Sequence, residues 1–161
     1  AKNYIESIFK LQEISITKFI DTGNYIIDNI VNFKLNEAFN KGIKINATAK
    51  VPYDIQISEF HMVSILGNII QNAIEANDKV KENKFINFEI TYKLNKIFIT
   101  VSNRFDKKII IKENKLITTK YEKNEHGIGI NNVLNFIEKY NGILEYKCND
   151  DIFTVEILLF I

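Results

Sequence analysis

Apolar positions recur at two different periods along this chain, and the switch from one to the other marks its elements. From about Tyr4 to Phe19, Ile5, Ile8, Phe9, Ile16 and Phe19 are spaced for one face of a helix, read as the end of a longer helix upstream. Asp21 to Asn24 offer capping side chains, and a second helix follows with Ile26, Ile27, Ile30, Val31, Leu35 and Ala38 on one side. Gly42 is placed to stop it. Period two then takes over in IKINATAKV, from Ile43 to Val51, which predicts a half-buried strand ended by Pro52.

The helical period returns from Ser58, a natural cap, to about Val80. KFINFEITY from Lys84 and KIFITVSN from Lys96 alternate again and predict a hairpin around Asn95. Arg104 to His126 carry little pattern beyond the apolar run Ile109 to Ile111, and a loop of that length in a compact domain is usually functional or mobile. Gly127 and Gly129 open a helix to about Tyr140, closed by Asn141-Gly142. GILEYKC and IFTVEILLFI then predict a last hairpin around Asn149, Asp150 and Asp151. Strands paired as hairpins with helices between them predict an α+β fold: a mixed, mostly antiparallel sheet with helices packed on one face.

Composition narrows the function classes. A length of 161 residues suits one domain, and a formal net charge of +1 gives no general surface for nucleic acid. No apolar run reaches the roughly 18 residues of a membrane span. The single cysteine, Cys148, excludes an internal disulfide and fits a reducing compartment. The opening Ala1 in place of Met reads as the cut end of a longer protein.

Chemistry concentrates on the helix SILGNIIQNAIEAND. At about 100° per residue, Asn68, Asn72 and Glu75 fall within an arc of roughly 60°. His61, Ser64 and Lys79 extend the stripe, with Met62, Leu66, Ile69, Ile70, Ala73 and Ile74 opposite. A solvated face over a packed one is the plain alternative. Solvated faces, however, are typically Lys and Glu, whereas two amides four residues apart offer convergent uncharged oxygens suited to a hard divalent cation and its phosphates. HGIGINNV adds Gly127 and Gly129 between the long loop and a helix start, where free N–H groups and the positive dipole end bind phosphate. A simple loop-to-helix transition would also use them. The stretch lacks the third glycine of a dinucleotide fingerprint and the Gly-Lys-Ser/Thr of a Walker A loop.

Together the two motifs are more specific than either. An Asn-x-x-x-Asn helix, a hairpin, a long loop and a Gly-x-Gly helix start resemble the GHKL ATPase superfamily, with its Bergerat-type ATP-binding fold. LGNIIQNAIEA resembles its N box, and TTKYEKNEHGIGINNVLNFIEKYNG the end of its ATP lid and second glycine box. Within that group the chain is most similar to the sensor histidine kinases of peptide quorum-sensing systems in low-GC Gram-positive bacteria, a likeness supported by DTGNYIIDNIVNFKLNEAFNKGIKI. The resemblance covers about residues 21–161, with 1–20 as the end of a mostly missing dimerisation and phosphoacceptor hairpin.

The resemblance implies roles residue by residue. Asn72 coordinates the magnesium that bridges the ATP phosphates, and Asn68 helps hold metal and phosphate chain. Asn68 stands where other branches place a glutamate base for water, which suits transfer better than hydrolysis. Gly127 and Gly129 let the backbone approach the phosphates. Lys120, with Thr118 and Thr119, is placed to reach the terminal phosphate and offset transition-state charge. His126 borders the glycine box and touches phosphate.

One motif departs from the pattern: the strand IFITVSNRF ends at Asn103 with no Asp-x-Gly-x-Gly after it. An Asn oxygen can still accept from the adenine amino group, while a plain strand-end turn residue is the alternative. Neither His61 nor His126 has the flanks of a phosphoacceptor, and His61 reads as a surface or cleft residue. The resemblance therefore implies a cytoplasmic kinase domain, monomeric by itself. It would bind Mg-ATP and phosphorylate a histidine on its own upstream helices, in a membrane-anchored homodimeric parent that serves a response regulator. The rivals are a nucleotide-responsive binding or dimerisation module with little catalysis, and an anti-sigma-type serine kinase.

Overall fold

The computed structural model describes residues 17–106 and 128–161, with side chains in the second segment from Asn132 onward. The elements are α1 (Tyr25–Asn40), β1 (Lys44–Lys50), α2 (Glu59–Asp78), β2 (Phe85–Lys93), β3 (Lys96–Arg104), α3 (Ile128–Lys139), β4 (Ile143–Asn149) and β5 (Ile152–Phe160). The strands form one sheet in the order β1-β2-β3-β5-β4. β1 and β2 pair in parallel, and the remaining neighbours are antiparallel. The expected mixed, mostly antiparallel sheet is thus observed.

The period-two segments bury one face. Ile86, Phe88 and Ile90 of β2, Ile97, Ile99 and Val101 of β3, and Val155, Ile157 and Leu159 of β5 are all buried. They meet Ile27, Val31, Leu35 and Ala38 of α1, the apolar side of α2, and Val133 and Ile137 of α3 in one core. Each such Val, Leu or Ile contributes about 1.5–3 kcal/mol on leaving water. The opposite sheet face carries Glu89, Thr100, Glu145 and Lys147, with a few exposed apolar residues such as Phe98 and Ile143.

Local signals set the boundaries. The Asn24 side chain accepts from the N–H of Ile27 at 3.0 Å and caps α1. Gly42 takes φ +78° just beyond that helix, a conformation glycine adopts without strain. The β2–β3 turn places Leu94 and Asn95 at φ 51° and 58°, the left-handed pair of a type I′ hairpin turn. At the end of α3, Gly142 is needed for a steric reason. A Cβ there would lie 2.7 Å from the Leu158 carbonyl oxygen and 2.9 Å from that of Ile137, both backbone atoms that cannot step aside. Gly142→Ala should therefore lower stability by about 1–3 kcal/mol, the usual cost of overpacking. Thermal melts of the two proteins check this, and an unchanged midpoint would show that β5 gives way freely.

The expected first helix, about residues 4–19, falls mostly outside the described residues. Thr17–Ile20, at its end, are not helical. Buried Asn32 of α1 holds the last two instead: its Oδ1 accepts from the N–H groups of Phe19 and Ile20 at 2.9 and 3.0 Å, and its Nδ2 donates to the Ile20 carbonyl at 2.9 Å. At Phe19 the helical spacing is overridden by these long-range bonds to its backbone.

Candidate functional site

The polar stripe lies on α2 between its two helix neighbours. α1 runs parallel to α2: Ile30 sits where a Cβ on Gly67 would meet it at 3.5 Å, and Lys34 donates to Gln71 at 2.8 Å. α3 runs antiparallel to α2, because its last turn reaches the start of α2, where Ser58 donates its N–H to the Tyr140 hydroxyl at 3.1 Å. At about 1.5 Å per residue the twelve residues of α3 span roughly 18 Å, so its start lies level with about the middle of α2.

β3 ends at that same end. Asn77, in the last turn of α2, accepts from the N–H of Phe85 at 3.1 Å and donates to its carbonyl at 3.0 Å, fixing the start of β2 there. Asn103 of β3 pairs with Ile86, the next residue. The last turn of α2 and the end of β3 thus share one end of the molecule.

Within that frame the stripe divides by chemistry. Asn68 donates its Nδ2 to the Ser64 carbonyl one turn back at 2.7 Å, which turns its amide and leaves Oδ1 as an acceptor. Asn72 is half-buried, and among the described residues its amide makes no hydrogen bond. Glu75 is exposed and accepts from Gln71 at 3.2 Å, as a solvated side chain would. Two amide oxygens one turn apart are therefore available on a face that is neither packed nor fully wet. Among the described residues no three His, Cys, Asp or Glu converge as a metal cage. A cation held here would take neutral oxygens from the protein and the rest of its shell from phosphates and water.

Asn103 is 2% exposed on the helix-facing side of the sheet. Its Nδ2 donates to the Arg104 carbonyl at 2.9 Å, so Oδ1 is presented as an acceptor. A clamp fixes its surroundings: Arg104 pairs with Asp151, the N–H of Phe105 donates to the Asp151 carbonyl at 3.0 Å, and the Phe105 ring packs edge-on against Phe153. Sequence reasoning missed this clamp, since nothing in local spacing links Arg104 to a residue in the β4–β5 turn.

Gly129 lies in the first turn of α3. Thr118, Thr119, Lys120, His126 and Gly127 fall outside the described residues. His61, read as a surface or cleft residue, is half-buried. Its ring stacks on Phe136 at 4.3 Å, and its Nδ1 lies 2.6 Å from the Tyr140 hydroxyl. Partial burial and the nearby Lys139 ammonium both lower its pKa below the usual 6.5.

Comparison with known proteins agrees with this architecture. Residues 57–160 match the family described as the GHKL domain. No curated protein matches the chain. Among solved structures it is similar to a nucleotide-free catalytic domain of histidine kinase ThkA, with TM-score 0.67 and 15% identity over 87% of this chain and 92% of that one. It is similar also to the mycobacterial sensor histidine kinase MprB, with TM-score 0.59 and 13% identity over 81% of this chain and 91% of that one. For the histidine kinase domain of the E. coli osmosensor EnvZ the values are 0.58 and 12%, over 86% and 85%. At these identities the likeness establishes a common fold.

Proposed function

This chain belongs to the GHKL domain family, and from that premise we propose that it is the ATP-binding catalytic domain of a sensor histidine kinase. The observation that carries the reading is the pair of unengaged amide oxygens on Asn68 and Asn72, one turn apart in the middle of α2. Asn72 and Asn68 would hold magnesium and the phosphate chain. The N–H groups of the first turn of α3 would receive phosphate oxygens, helped by the helix dipole. The Oδ1 of Asn103 would accept from the adenine amino group.

A magnesium ion held by Asn72 and Asn68 would neutralise charge developing on the transferred phosphoryl group. The protein's part is positioning, with no group at Asn68 able to serve as a base for water, so transfer to a histidine is favoured over hydrolysis. Lys120, with Thr118 and Thr119, would meet the terminal phosphate, and His126, Gly127 and Gly129 would border it. The acceptor histidine would lie on an upstream helical hairpin of a membrane-anchored homodimeric kinase of the peptide quorum-sensing type, with a response regulator as the next phosphate carrier. Among the described residues no helix is long and apolar enough to cross a membrane.

Titration with an ATP analogue tests the reading. Binding should require magnesium, and incubation with ATP labelled in its terminal phosphate should leave His61 and His126 unlabelled. No binding with or without magnesium would favour a module that acts through contacts alone. Stable phosphate on either histidine would overturn the assignment of the acceptor.

A further inference from the structure

The helices cover one face of the sheet, and among the described residues the other face is open. Strand pairing sorts the outward side chains of that face into rows that run across the strands. Phe98 of β3 stands opposite Leu158 of β5, which stands opposite Ile143 of β4. Phe98 and Ile143 are 42% and 51% exposed, and a shallow groove of about 380 Å³ follows the row. Contiguous apolar surface of this kind marks an interaction site more often than a single exposed side chain does.

Charge borders the row on both sides, with opposite sign. Two residues along the strands in one direction lie Glu89 of β2, Glu156 of β5 and Glu145 of β4. Two residues in the other direction lie Lys93 of β2 and Lys96 of β3. Glu145 and Glu156 are direct cross-strand partners, a like-charge pair that opposes folding of the lone chain. Lys147 bonds Glu156 at 2.8 Å, and among the described residues neither Glu89 nor Glu145 is in an ion pair. The same holds for Lys93 and for Lys96, whose ammonium lies 5.4 Å from the centre of the Phe160 ring.

This banding of negative, apolar and positive is self-complementary under one operation. A two-fold axis along the apolar row brings two such faces together and reverses one copy along its strands. Apolar row then meets apolar row, and the carboxylates of each copy meet the lysines of the other, Glu89 against Lys93 most directly because both lie on β2. A two-fold axis along the strands would instead set carboxylates on carboxylates, and like charges disfavour it.

We propose that this open sheet face is a homodimer interface, with a second copy of the chain packed on it about the axis that follows Phe98, Leu158 and Ile143. The strands of the two sheets remain aligned, the usual arrangement for sheets stacked about 10 Å apart. Five strands at ~4.8 Å spacing, the central ones nine residues long at ~3.3 Å each, give a face of roughly 20 by 30 Å, so the pair buries about 1,200 Å². That is the lower end of specific interfaces, which makes the dimer weak and concentration-dependent. The isolated chain then associates, in place of the monomer that the resemblance implies. The polar stripe of α2 lies on the helix side of the sheet and stays open, so the inference is independent of the nucleotide site.

Sedimentation velocity of the whole chain, from micromolar to millimolar concentration, tests this. The parent should pass from monomer to dimer across that range. Phe98→Glu should weaken association by about tenfold or more with the melting temperature unchanged, because the ring is exposed. Lys93→Glu with Lys96→Glu makes both bands negative, and Glu89→Lys with Glu156→Lys makes both mainly positive. Each double variant should stay monomeric where the parent dimerises, and an equimolar mixture of the two should form a heterodimer. Loss of association by misfolding would not be restored on mixing. A parent that is monomeric throughout, or association that survives Phe98→Glu, would overturn the interface. Double variants that each dimerise as the parent does, or a mixture that stays monomeric, would overturn the charge-matched axis.

Discussion

Asn72→Ala should lower magnesium-dependent nucleotide affinity by about ten- to a hundredfold, equivalent to losing one contact worth on the order of 1–3 kcal/mol. The same change should leave the melting temperature unchanged or slightly raised. Alanine is the better helix former by a few tenths of a kcal/mol, and among the described residues the Asn72 amide holds nothing that would be lost. A solvated asparagine would show the second effect without the first, so the pair of readouts separates the alternatives. Asn72→Asp should keep some metal binding, because a carboxylate oxygen replaces the amide oxygen. It should disturb phosphoryl positioning, because it places a negative charge beside the phosphates. Lys79→Ala, on the exposed residue that caps α2, is the control and should change neither quantity. Thermal melts and nucleotide titrations on the three variants decide the matter. Parental affinity in Asn72→Ala would remove the amide pair from the site.

The elements whose hydrophobic period runs long were legible before any coordinates. α2 and both hairpins appear within a residue or two of their expected bounds, because burial on one face and the turn residues around Asn95 and Asp150 say the same thing. The parallel pairing of β1 with β2 was not legible, since the alternation in KINATAK is the same whichever way its neighbour runs. Long-range side-chain work was equally hidden. Asn32 and the backbone of Phe19 and Ile20 find each other across 12 to 13 residues, and Arg104 finds Asp151 across 47, separations no local pattern encodes. His61 was grouped with the polar stripe because helical spacing reports angle only. What α3 brings against that angle, two aromatic rings and a hydroxyl, turns a polar face at one end of the stripe into a packed contact.

Asparagine on α2 makes the same point more sharply, and Asn77→Ala carries the largest expected effect on stability. Asn77 follows Asn72 on the same helix, yet it is fully buried. Its Nδ2 donates to the Ala73 and Phe85 carbonyls at 2.9 and 3.0 Å, and its Oδ1 accepts from the Phe85 N–H at 3.1 Å. Truncation to alanine removes all three bonds and leaves both polar groups of the Phe85 backbone without this partner at the start of β2, beside a new void. An unsatisfied buried group costs about 1–3 kcal/mol and the void adds to it, so a loss of about 2–4 kcal/mol is expected. For a domain of this size that lowers the melting temperature by about 5–15 °C. Asn77→Asp should be no rescue: one oxygen still accepts from Phe85 N–H, but the other faces two carbonyl oxygens and brings a buried charge. Well below its melting point Asn77→Ala should bind nucleotide within a fewfold of the parent, the mirror image of Asn72→Ala. A melting temperature equal to the parent's would mean that the start of β2 is held by its pairing with β1 and β3 alone, and that the burial of Asn77 has no energetic consequence.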